Sequence, residues 1–115
     1  MNVVDKPWGF YVDLERNPFR VIKRIKVSPN QKLSLQKHKN RSEFWFILSG
    51  FGRVTLGNHT FPAGHENHFH IPRNMIHRME AGPEGIMFLE VQSGDCREDD
   101  IIRLQDDYGR VTEGL

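Results

Sequence analysis

Apolar and polar residues alternate in short runs along this chain, and each run ends at turn-forming residues. Alternation with a period of two is the signature of half-buried strands. The pattern predicts strands over residues 10–14, 19–27, 33–38, 43–48, 51–56, 59–61, 67–71, 76–80 and 86–92. Breaks fall at Asn17-Pro18, Ser49-Gly50, Pro62-Ala63-Gly64, Pro72, Ala81-Gly82-Pro83 and Ser93-Gly94. Gly57-Asn58 is a strong hairpin signal, because both residues tolerate positive φ. Only residues 98–103 carry the charge order of a helix, with acids first and Arg103 last, as the helix dipole prefers. Many short strands in close succession predict one all-β domain built as a sandwich or barrel, with a short helical turn near its C-terminal end.

The faces of these strands suggest a site. Gln36 and His38 share a face, as do Glu43, Trp45 and Ile47 on the next strand. A short turn over 39–42 predicts that the two strands are antiparallel neighbours. An amide oxygen, an imidazole and a carboxylate then meet at one mouth of the barrel. His77, just beyond the turn Pro72-Arg73-Asn74-Met75, is the best candidate for a fourth donor. This donor set suits one divalent ion of zinc, manganese, iron or cobalt, without choosing among them. In the 19–27 strand, Arg20, Ile22, Arg24 and Lys26 read as a solvated face, and Val21, Lys23, Ile25 and Val27 as core. Lys23 is the lone charge on that apolar face, which points to an anionic ligand. Phe44, Phe46 and Leu48 form an outer apolar face that needs a cover, either a second sheet or another subunit, and a homodimer is the expectation.

Composition narrows the functional classes. With 115 residues the chain has room for one domain spanning 1–115. Its 16 Lys+Arg nearly balance 15 Asp+Glu, so neither nucleic acid nor a membrane is an expected partner. The single cysteine, Cys96, excludes an intrachain disulfide and has no histidine neighbour to make it a nucleophile. The N-terminal residues lack the pattern of a signal peptide, and no apolar run is long enough to span a bilayer. A cytoplasmic location is expected. His65, His68 and His70 crowd one segment, but His65-Glu66-Asn67-His68 is one spacer short of the helical zinc motif. They read as exposed or strand-packing histidines.

The motifs resemble those of the cupin superfamily. Its first motif is Gly-x5-His-x-His-x3/4-Glu-x6-Gly, matched here by Asn30, Gln36-Lys37-His38, Glu43 and Gly50. Its second, Pro-x-Gly-x-x-His, is matched by Pro72 through His77. Asn30 and Asn74 stand where the family has glycine, and asparagine is the next most tolerant residue of positive φ. A closer resemblance is to the cupin domain of type II mannose-6-phosphate isomerases, often fused to a GDP-mannose pyrophosphorylase. It rests on Lys6-Pro7-Trp8-Gly9, Leu33-Ser34-Leu35-Gln36, Arg41-Ser42-Glu43, Glu90-Val91-Gln92-Ser93-Gly94, Glu98-Asp99-Asp100-Ile101 and Tyr108-Gly109-Arg110. The resemblance implies a small double-stranded β-helix, or jelly-roll barrel, and a metal held by Gln36, His38, Glu43 and His77. The family's usual His is Asn40 here, and its Ser-Gly-x-Tyr-Leu-Gly-Glu segment is one residue shorter, without the Tyr. The pyrophosphorylase half with its glycine-rich loop is absent from this sequence.

Interconversion of mannose 6-phosphate and fructose 6-phosphate, the chemistry this resemblance implies, moves a proton between C1 and C2. It needs a positioned base, an electrophile for the sugar oxygens and cations for the phosphate. Glu90, mid-strand among apolar residues, is the candidate proton carrier, with Arg41 and Arg78 as catalytic cations. Lys23, Arg41 and Gln92 are the candidate substrate contacts. Two other readings compete: a non-catalytic metal-containing cupin that binds a sugar or sugar phosphate, and a metal-dependent oxygenase.

Overall fold

The computed structural model describes residues 2–112 and contains nine strands. They are β1 (Val3–Lys6), β2 (Gly9–Asn17), β3 (Arg20–Val27), β4 (Leu35–Lys37), β5 (Arg41–Leu56), β6 (His59–Ala63), β7 (His68–Ile71), β8 (His77–Gly94) and β9 (Ile102–Gln105). All pairings are antiparallel. The sheet runs β1-β2-β3-β8-β4-β9, and β5 joins β6, β7 and β8. Its frame is the pair of long strands β5 and β8, registered from Arg41↔Gly94 to Leu56↔His77.

Each long strand merges two predicted ones. The turn residues Ser49-Gly50 do not reverse the chain. Instead the β5–β8 register shifts between Ile47 and Ser49 and again between Gly50 and Gly52. Such bulges bend a strand and deepen its twist, which lets one ribbon curl around a core. Gly50 sits at φ 84°. At Gly52 an added Cβ would lie 2.1 Å from the Glu80 carbonyl oxygen. Gly52→Ala is therefore expected to destabilise the fold by about 1–3 kcal/mol through overpacking. Urea unfolding measures this, and an unchanged midpoint would count against the bulge as a packing constraint.

Alternating residues of these strands fill the interior. Trp45, Ile47, Val54, Ile71, Met79, Ile86 and Phe88 are fully buried. Each large side chain contributes roughly 1.5–3 kcal/mol by leaving water. On β3, Val21, Lys23, Ile25 and Val27 are buried while Arg20 is exposed and Ile22, Arg24 and Lys26 are half-buried, as the alternation predicts. Gly57-Asn58 closes the β5–β6 hairpin at Leu56↔His59. Asn30 and Asn74 take φ of 60° and 65°, so both turns keep the backbone that glycine would supply. His59, His65, His68 and His70 are all exposed. On the outer face of β5, Phe44 is 37% exposed and lies against the His68 ring, 5.7 Å between centroids.

Two further local expectations fail. Residues 98–103 do not form a helix, and none occurs among the described residues. Residues 102 and 103 instead open β9, paired as Lys37↔Ile102 and Gln36↔Arg103. The Asp100 carboxylate accepts the backbone N–H groups of Lys39 and Asn40, at 3.0 and 2.8 Å. A helix-dipole preference of about 0.3–1 kcal/mol loses to these bonds and to the β4 ladder. The second failure concerns β4 and β5, which are not hydrogen-bonded neighbours. β4 pairs β8 and β9, whereas β5 pairs β6, β7 and β8. The 38–40 turn carries the chain across the barrel mouth rather than back along it.

Candidate metal centre

Three strands converge at that mouth. His38 follows β4, Glu43 lies near the start of β5, and His77 opens β8. His77 is opposite Gln36 on one side and Leu56 on the other. The donor atoms of His38, Glu43 and His77 lie within 4.8 Å of one another, and all three residues are buried. His38 Nε2 is 3.2 Å from Glu43 Oε2, and His77 Nε2 is 3.5 Å from Glu43 Oε1.

The outer nitrogens decide what the inner ones offer. His38 Nδ1 is 2.7 Å from the Asp100 carbonyl, and His77 Nδ1 is 2.9 Å from the Met75 carbonyl. Carbonyl oxygens only accept, so each Nδ1 carries a hydrogen and, in a neutral ring, each Nε2 offers its lone pair on the Glu43 side; Arg41 Nη2 also comes within 3.3 Å of His38 Nε2. Burial pushes His38 down to about 4, aided by Arg41 and His77 and opposed by Glu43; it is neutral near pH 7. Burial alone would raise the Glu43 carboxyl, but the neighbouring His77, His38 and Arg41 groups outweigh it and hold it below the usual range. His77 Nε2 is buried with no hydrogen-bond partner. An orphaned buried lone pair beside a second imidazole and an ionised carboxylate fits a divalent cation. Gln36 lines the same pocket, and its amide nitrogen turns to the Ser34 carbonyl at 3.4 Å. Its amide oxygen is the available donor.

Glu90 stands one rung deeper, opposite Trp45 on β5 and Lys23 on β3. It is buried; Trp45 Nε1 donates to Oε2 at 3.0 Å and Gln92 Nε2 to Oε1 at 2.7 Å. The same indole N–H reaches Glu43 Oε1 at 3.2 Å, so it ties the two carboxylates together. Burial first, then the Glu43 charge, pushes Glu90 up to about 7 against Lys23, Arg41 and the Gln92 bond. All these residues line a cavity of about 160 Å³. A larger hollow of about 460 Å³, between Lys32, Phe51, Arg53 and Glu80, includes none of the donor residues.

The predicted cations separate. Lys23 is buried in the pocket wall, 2.9 Å from Glu98 Oε1 and 4.0 Å over the Tyr11 ring. Arg41 lies in the pocket too, held by Glu43 Oε2 at 3.1 Å and the Arg97 carbonyl at 3.2 Å. Arg78 does not reach it. Strand alternation turns it to the face opposite His77, where Nε donates to the Leu33 carbonyl at 2.9 Å and the Nη atoms approach Gln105. Its position is that of a brace between β8 and its neighbours, not of a catalytic cation. The pocket contains a further cation, Arg103, whose buried Nε has no hydrogen-bond partner among the described residues. Burial lowers its basicity, as does neighbouring Arg110, against Asp106. A strand over Ile102–Gln105 carries it, and the β4–β9 pairing sets it opposite Gln36.

A family model described as mannose-6-phosphate isomerase C-terminal matches residues 1–106. The alginate biosynthesis protein AlgA of Pseudomonas aeruginosa is 39% identical over 112 residues, which are 96% of this chain and 23% of that protein. A mannose-1-phosphate guanylyltransferase of Escherichia coli K12 is 36% identical over 94% of this chain and 23% of its own length. The chain thus spans about a quarter of the length of the curated relatives it matches. Among solved structures, the Rhodospirillum rubrum cupin-2 domain Rru_A2000 superposes with a TM-score of 0.73 at 19% identity, over 86% of this chain and 66% of that one. That likeness shows the fold, a cupin.

Proposed function

The chain belongs to the mannose-6-phosphate isomerase C-terminal family, and from that premise we propose that it is a metal-dependent aldose–ketose isomerase acting on mannose 6-phosphate and fructose 6-phosphate. The observation that carries the reading is the pair of imidazoles, each pinned at Nδ1 by a carbonyl, facing a carboxylate one rung from a second carboxyl with a pKa of about 7. Gln36, His38, Glu43 and His77 would hold one divalent ion. When bound, it supplies Lewis-acid stabilisation of the charge that develops on the sugar oxygens.

The chain's own groups do the rest. Glu90 takes the proton from one of the two carbons and returns it to the other, because a carboxyl near neutral pKa can do both, while the hydroxyl proton passes between the two sugar oxygens by way of water. Trp45 and Gln92 fix its two oxygens. Lys23, Arg41 and Arg103 give the pocket wall the positive charge that a phosphate monoester needs. A homodimer covering the Phe44–Phe46 face and a cytoplasmic location belong to the same proposal.

The test follows the C2 hydrogen. Metal-loaded protein given mannose 6-phosphate in heavy water is expected to yield fructose 6-phosphate and to exchange that hydrogen with solvent. Binding without exchange or product would leave a non-catalytic sugar-phosphate cupin, and a strict need for oxygen would indicate an oxygenase.

A further inference from the structure

Lys23 is the one lysine buried in the pocket wall, and its charge is already answered. Glu98 Oε1 accepts from Lys23 Nζ at 2.9 Å and from Arg16 Nη2 at 2.8 Å. Lys23 itself is 5% exposed and is held over the Tyr11 ring. Glu98 differs from its partner: its side chain is 52% exposed and comes from the loop between β8 and β9. One carboxylate oxygen thus bridges a fixed, buried cation and an exposed one. Arg16 is further paired with Asp13 at 2.9 Å, so it keeps a partner whether or not Glu98 stays. Among the described residues Lys23 has no second acid in its ion pairs.

We propose that Glu98 is an internal stand-in for the anionic group of the ligand: its carboxylate occupies the Lys23 end of the pocket, and a phosphate monoester must displace it to bind there. This deepens the sugar-phosphate reading and rests on it for the ligand class. The geometry supports exchange over a fixed structural pair. The half-exposed partner is on a loop, whereas the buried one is on a central strand. Departure of the Glu98 side chain leaves Arg16 paired and frees only Lys23. The same loop also places the Arg97 carbonyl on Arg41 and the Asp100 carbonyl on His38 Nδ1. Displacing Glu98 therefore acts on the segment that orients a candidate metal ligand.

Titration calorimetry of the intact chain with inorganic phosphate, after chelation so that no metal competes for the probe, tests this. If Glu98 leaves Lys23 free in about one molecule in five to ten, then Glu98→Gln and Glu98→Ala bind phosphate about fivefold to tenfold more tightly than the unaltered chain. Adding Lys23→Met to Glu98→Gln is expected to abolish the gain. Unchanged or weaker binding in both Glu98 variants overturns the proposal, and so does a gain that survives Lys23→Met. A readout on the unaltered chain guards against misfolded variants: the Glu98 carboxyl carbon resonance should shift as phosphate saturates, and a static resonance during saturable binding also overturns it. Phosphate affinity is separate from turnover. A protein that fails to isomerise the sugar but shows the gain sinks the isomerase reading and keeps the latch.

Discussion

His77→Ala is expected to remove about two-thirds or more of the metal-dependent stabilisation at a smaller cost to the metal-free fold. In the unaltered chain, an ion at a thousand times its dissociation constant stabilises the native state by about 4 kcal/mol. For a domain of this size that raises the melting temperature by roughly 15 °C. His77 supplies one of three donors gathered within 4.8 Å. Losing only an outer hydrogen-bond partner of such a ligand costs about 10- to 100-fold in affinity, so losing the ligand should cost at least 100-fold. In the metal-free protein two local polar effects oppose each other, and the remaining cost is the packing lost against Trp45 and His38. The variant loses the Nδ1 bond to the Met75 carbonyl, but it also loses a buried Nε2 with no partner. An unpartnered buried polar atom costs about 1–3 kcal/mol. Elemental analysis and paired melts with and without metal measure both halves. One equivalent of tightly held metal in His77→Ala would overturn the ligand set.

Glu90→Gln should slow isomerisation by about 10²- to 10⁴-fold, the range for loss of a positioned proton carrier, with little change in metal content. The pH profile carries the stronger test. Glu90 is raised to about 7, so the base form grows as pH rises through that value. In the unaltered chain, kcat is expected to climb as pH rises through the Glu90 pKa, which a cation bound at Glu43 moves below its metal-free value of about 7, and then to level; the Gln variant should lose that limb. The stability effect has the opposite sign. A carboxyl whose folded pKa exceeds its unfolded value favours the native state while it is neutral. That contribution is present below about pH 4.5 and is lost as pH rises through about 7. The metal-free Gln variant should therefore lose less stability than the unaltered chain between those limits. Identical pH–stability curves, together with an unshifted rate profile, would remove Glu90 from the proton-transfer role.

Several parts of the site were legible because they depend on chemistry carried by single residues or on local parity. The asparagines at 30 and 74 signal positive-φ turns whatever surrounds them, and both are found there. Along β3, parity alone puts Lys23 inward with Val21 and Ile25. Donor types could be read directly at Gln36, His38, Glu43 and His77. Parity also contained the answer for Arg78: one residue from an inward His77 it must face the other way, and it does.

The sequence by itself determined the all-β class, the inward and outward faces, the turn chemistry and the kinds of atom available to a cation. Only the tertiary structure decided which strands lie side by side. β8 places His77 between Gln36 of β4 and Leu56 of β5, and only that double pairing brings a late imidazole beside His38 and Glu43. The same long-range pairing turned Ser49-Gly50 into a bulge region, drew Ile102 and Arg103 into a strand, and brought Glu98 onto Lys23. The physical reason is one of range. Alternation and turn preference act over a few residues, whereas a ladder of backbone hydrogen bonds joins residues far apart in the chain and outweighs a local preference of a few tenths of a kcal/mol to about 1 kcal/mol.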